Sequence, residues 1–162
     1  MERIEKSIEV ERPLRLVYDQ WTQFEEFPRF MEGIEQVKQL DDRHLHWIAK
    51  VAGKREEWDA EIVHQVPDQQ IAWRNTGGAV NLGVLTFTPL DGDEPSEAGG
   101  RTRVGLALEY EPKSFTEKIG DAFGFFSRRV EGDLERFKKF IEERGAETGA
   151  WRGEVHPDQP GA

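Results

Sequence analysis

His64 is the titratable side chain whose position offers the most chemistry. Alternation through residues 55–66 sets Trp58, Ala60, Ile62, His64 and Val66 on one face of a strand, against Glu57, Asp59, Glu61 and Gln65 on the other. An imidazole on the apolar face could anchor a ligand carbonyl or move a proton near neutral pH. A histidine satisfied at the strand end accounts for the same pattern. Tyr110 shares parity with Val104, Leu106 and Leu108, so its hydroxyl could donate to a ligand or bond to backbone. His44 and His46 lie two apart on a polar face, a spacing that could give a metal two ligands. No third ligand is identifiable, and the sequence predicts no metal site.

Other chemistries lack their groups. The chain has no cysteine, which removes disulfides, thiolate metal sites and thiol nucleophiles. Neither a phosphate-cradling Gly–Lys loop nor a nucleophile elbow is present. The loop Asp91-Gly92-Asp93-Glu94 lacks the further carboxylates and the distal glutamate of a calcium loop. Arg74 and Arg103 fall opposite the apolar set and read as surface partners for carboxylates, and the acidic run Glu56, Glu57, Asp59, Glu61 mostly faces water. What remains is aromatic. Trp47, Trp58 and Trp73 could stack on a planar or isoprenoid ligand, and core packing explains them equally well.

These residues need elements to hold them. Ile4, Ile8 and Val10 alternate with charged residues, giving a first strand. Pro13 starts a short helix whose Leu14, Val17, Tyr18 and Trp21 share one face. Phe24, Phe27, Phe30 and Met31 continue the apolar surface, but Pro28 limits it to a second short helical piece ending at Gly33. Six strands follow, at 34–40, 43–52, 55–66, 69–75, 79–89 and 101–111, separated by turn-forming residues. Parity gives the sheet one apolar, aromatic face.

A single element is long enough to cover that face. Ser114 and Glu117 form a capping box, Gly145 supplies a stop, and Phe115, Ile119, Phe123, Phe126, Val130, Leu134, Phe137 and Ile141 make a stripe on a helix of about 45 Å. The sequence therefore predicts an α+β helix-grip fold: a curved antiparallel seven-stranded sheet around a long C-terminal helix, with two short helices after strand one. Residues 1–145 form this domain, and 146–162, rich in Gly and Pro, read as a flexible tail. A curved sheet and a straight helix leave a hollow, expected near the short helices. Gly120, Gly124 and Gly132 inside the helix would widen it, or Gly120 and Gly124 would instead permit close approach to a strand or to a partner helix, including that of a homodimer. The predicted ligand-lining set is Trp47, Trp58, Ile62, His64, Trp73, Phe87, Leu106, Tyr110, Ile119, Phe123 and Phe126.

Charge narrows the partners. A formal net charge of -10 disfavours nucleic acid, which needs a concentrated basic face. Arg128, Arg129, Arg136, Lys138 and Lys139 are interleaved with acidic residues that neutralise them. No apolar run could serve as a signal peptide or membrane span, so a cytoplasmic location is expected.

Glu57-Trp58-Asp59-Ala60-Glu61-Ile62, then Pro67-Asp68-Gln69-Gln70-Ile71-Ala72-Trp73-Arg74, Gly83-Val84-Leu85-Thr86-Phe87, Thr102-Arg103-Val104 and Leu134-Glu135-Arg136-Phe137-Lys138 resemble the bacterial cyclase/dehydrase branch of the START-like (SRPBCC, Bet v 1-like) superfamily. They also resemble its coenzyme Q-binding, polyketide-cyclase group. The resemblance spans about residues 3–144. It implies an internal cavity for a lipid, an isoprenoid quinone or a polyketide-like aromatic, held without a cofactor. It assigns no catalytic residue, because the superfamily holds carriers and enzymes alike. A cyclase or aromatase acting in the same cavity, and a ligand-free protein-interaction module, are the alternative readings.

Overall fold

The computed structural model describes residues 2–51, 53–76, 80–90, 100–111 and 122–157. Strand β1 (Glu2–Val10) leads into helix α1 (Leu14–Trp21) and a 3-10 helix (Phe24–Arg29). Then come β2 (Ile34–Gln39), β3 (His44–Val51), β4 (Lys54–Val66), β5 (Gln70–Asn75), β6 (Val80–Pro89), β7 (Thr102–Tyr110) and helix α2 (Ala122–Arg144). All seven strands join one sheet in the order β1-β7-β6-β5-β4-β3-β2, with every pairing antiparallel. The predicted α+β helix-grip architecture is the observed one. The capping box, the Asp91 to Glu94 loop, Ile119 and Gly120 lie outside the described residues.

The topology follows from connection length. Strands β2 to β7 lie side by side in sequence order, whereas β1 pairs with β7 and connects to β2 at the opposite edge through the two short helices. These helices therefore cross one end of the sheet, and α2, which follows β7, lies closest to β1. Alternation buries Ile4, Leu45, Trp47, Ala60, Ile62, Ile71, Trp73, Leu85, Phe87, Val104, Leu106 and Tyr110 on the inner face. Helix α2 meets them with Phe126, Val130, Leu134, Phe137 and Ile141 and stops at Gly145, whose φ of +73 suits the C-terminal position.

Near the short helices, where a hollow is expected, the described rings lie close together: the Trp21 ring centre is 4.5 Å from that of Phe137, 5.2 Å from Phe30 and 5.4 Å from Phe27, and Phe24 and Phe27 meet edge-on. The short helices carry one aromatic per turn and need these contacts to bury them. The segment after α2, expected as a loose tail, is instead packed over 148–156. Val155 is buried and exchanges two backbone hydrogen bonds with Gln65, at 2.7 and 2.9 Å. The long strand β4 outruns β3 at this end, and Val155 pairs the edge left over.

Candidate functional site

The inner sheet face is organised around three indoles. Trp47 and Trp58 are register partners on β3 and β4, and their rings stack at 5.9 Å with 9° between planes. Trp73 on β5 lies 6.4 Å from Trp47 at 21°. Its ring also lies over Gly83, its partner on β6: a Cβ at Gly83 would come within 2.2 Å of the indole. The glycine thus lets the ring lie flat against the sheet. The indole nitrogens of Trp47 and Trp58 are buried and find no acceptor among the described residues. Unpaired buried donors are uncommon and costly, by about 1–3 kcal/mol each.

At the N-terminal half of α2 the inner face is less fully covered. Tyr110 and Phe126 are buried and meet at 5.0 Å. Yet Trp58 and Leu108, on inward-facing positions, are only partly buried, and Phe123 on α2 is 54% exposed. Phe123 therefore does not line the interior as the stripe suggested. Its place on the helix is at the margin of the apolar face.

His64 is a correction. The β4–β5 register shifts between Ile62 and His64, pairing Ile62 with Trp73 but His64 with Ala72. This bulge inserts Val63 and reverses the alternation beyond it. Gln65, not His64, becomes the inward residue, buried with its Nε2 donating to the Tyr18 hydroxyl at 3.1 Å. His64 is half-buried, with Nδ1 against the Gln70 amide and its ring 5.5 Å from that of His156. Trp47, Ile62, Trp73, Phe87, Leu106, Tyr110 and Phe126 are buried in one apolar core, and Trp58 packs against it partly buried.

Sequence reasoning missed a polar cluster at the short-helix end. Arg152 donates to Asp19 at 2.5 Å and to Asp68 at 2.7 Å, and its guanidinium lies 5.4 Å from the centre of the Tyr18 ring. Burial pushes the Tyr18 phenol up to about 12, so it stays protonated across the physiological range. Burial also raises Asp19, against the opposing pull of Arg152. Tyr18 is visible in the sequence only as a member of the α1 apolar face, and Arg152 carries no local signal at all.

The paired histidines sit on the outer face. His46 Nδ1 lies 2.7 Å from Asp59 and Nε2 3.1 Å from Glu57, and these two carboxylates raise its pKa. His44 Nδ1 is 2.9 Å from Asp41. Among the described residues no group of three or more His, Asp or Glu is placed to hold a metal ion. No helix among them is long and apolar enough to cross a membrane.

An antiparallel seven-stranded sheet with an aromatic inner face closed by one C-terminal helix gives the chain a helix-grip fold. Residues 10–139 match the family described as polyketide cyclase/dehydrase and lipid transport, and the chain belongs to that family. It is 51% identical over 156 residues to an uncharacterised 17.2 kDa protein of Streptomyces lincolnensis, covering 96% of this chain and 99% of that one. Among solved structures it is similar to the Zhui aromatase/cyclase of Streptomyces sp. R1128, with a TM-score of 0.70 and 16% identity over 93% of this chain and 99% of that chain. A START superfamily protein from Mycobacterium smegmatis gives a TM-score of 0.61 and 15% identity, covering 83% and 97%. At these identities the structural likeness concerns the fold alone.

Proposed function

We propose that this protein binds a lipophilic small molecule, of the lipid, isoprenoid quinone or polyketide-like aromatic kind, between the inner sheet face and α2, without transforming it. The observation that carries the reading is the graded closure of the aromatic face. Rings fill the short-helix end, whereas at the Phe123 end the inward-facing Trp58 and Leu108 keep part of their surface uncovered. Apolar surface held open costs about 25 cal/mol per Å² and is recovered when a ligand covers it. The Trp47 and Trp58 indole N–H groups, which like that of Trp21 have no acceptor among the described residues, favour a ligand that carries an oxygen.

A cyclase reading would need polar groups in that same space to move protons. His64, the first candidate for such a role, is turned out by the bulge, and this favours binding over turnover. The test is native mass spectrometry of protein purified without detergent, with Trp58→Ala measured alongside. A lipophilic mass that remains bound to the wild type and is lost from Trp58→Ala supports the proposal. Protein that carries no added mass, and whose tryptophan emission is unchanged by excess menaquinone or by 1-anilinonaphthalene-8-sulfonate, would overturn it.

A further inference from the structure

Among the described residues six polar side chains are buried: Asp19, Gln20, Thr22, Gln65, Thr102 and Asp133. Four of these face the segment that follows α2. Gln20 exchanges two hydrogen bonds with Thr148, at 2.8 Å to its backbone N–H and 3.1 Å to its hydroxyl. The Thr22 hydroxyl accepts from the Trp151 N–H at 3.1 Å. Asp19 takes one arm of the Arg152 guanidinium, and Asp68 at the β4–β5 turn takes the other. Gln65 pairs with Val155 through backbone, and its side chain reaches Tyr18 directly beneath.

Among the described residues the interface between this segment and the body is thus largely polar, with Val155 its one fully buried apolar side chain and Trp151 packed partly buried against the core. That composition has a thermodynamic meaning. Each polar bond exchanges for a bond to water on separation and holds little net free energy, whereas apolar burial is lost outright. A segment so attached separates before the ring-packed core does. It is also attached in one sense only: α2 keeps its own clamps to the 30–33 loop, through Arg129 to the Glu32 carbonyl at 2.7 Å and Arg136 to the Phe30 carbonyl at 2.9 Å.

We propose that residues 146–157 form a strap, latched by Arg152 between Asp19 and Asp68, that detaches as a unit of its own and uncovers the Tyr18–Gln65 pair while α2 stays docked. The proposal is independent of what the interior binds. Arg152 is a positioning residue in it, acting on the strap.

Hydrogen–deuterium exchange on the full chain tests this. In the wild type the Gln65 and Val155 amides exchange faster than Ile62, whose N–H donates to the Arg43 carbonyl within the sheet. Arg152→Gln raises exchange at Gln65 and Val155 by roughly ten- to a hundred-fold, the range for losing a charge-assisted pair. Amides in α2, such as Leu134 and Phe137, keep their rates. Asp68→Asn, whose side chain tolerates the φ of 65 at that position, gives a smaller effect of the same kind and serves if Arg152→Gln folds poorly. Acceleration of α2 by the same factor would show that the strap opens only with the whole domain and would overturn the proposal. So would unchanged rates at Gln65 and Val155 in both variants.

Discussion

Gly83 is the residue on which the arrangement of the indoles turns. A glycine inside a strand gives up both side-chain packing and backbone entropy, and here its missing Cβ is the floor on which Trp73 lies. Gly83→Ala puts a carbon within 2.2 Å of that ring, and the ring has to leave its place beside Trp47. Overpacking of this kind costs about 1–3 kcal/mol. Chemical denaturation should show that loss, together with a red-shifted tryptophan emission; equal stability and an unchanged spectrum would place the ring elsewhere. The three inward indoles were legible in the sequence because strand parity is a local property. Their stacking was not, since it depends on which strands become neighbours. Gly132 had been expected to widen the interior. Instead it makes room for the Arg136 guanidinium, which a Cβ there would approach to 3.0 Å.

Among the elements, β4 shows where alternation stops being a guide. Period two ran correctly through Trp58, Ala60 and Ile62, and the strand boundaries fell within a residue or two of those observed. The bulge at Val63 is a property of the β4–β5 ladder, and no residue in 61–65 announces it. Its consequence can be measured by comparing neighbours. Gln65→Ala strips the Tyr18 hydroxyl of its buried partner and should cost about 1–3 kcal/mol. His64→Ala, at a half-buried position, should cost no more than about 0.5 kcal/mol. The reverse ranking in urea denaturation would mean that the alternation continues unbroken. The strap was illegible for a related reason. Its Gly and Pro content signals a loose chain, and only the spare edge of β4 and the carboxylates on α1 and the β4–β5 turn give it a place to bind.

For the molecule as a whole, the docking of α2 sets how stability follows pH. Asp133 is 7% exposed, accepts from the Glu32 N–H at 3.0 Å, and pairs with Arg136. Burial outweighs both partners and pushes its carboxyl up to about 6. A folded-state pKa above the unfolded value of 3.8 means that the native state binds the proton more tightly. Its contribution is then complete below about pH 4 and is lost as pH rises through about 6. The ceiling is about 3 kcal/mol for a two-unit displacement. His46 is raised by Asp59 and Glu57 and changes stability in the same direction as pH rises. A chain of net charge -10 also repels itself less as its carboxylates are protonated. The domain should therefore melt higher near pH 5 than near pH 7.5. Asp133→Asn keeps an oxygen for the Glu32 N–H and removes the titration, so scanning calorimetry at the two pH values should show a smaller gap for the variant. An equal gap in both proteins would assign the pH dependence to surface charge and leave the docking of α2 indifferent to protonation.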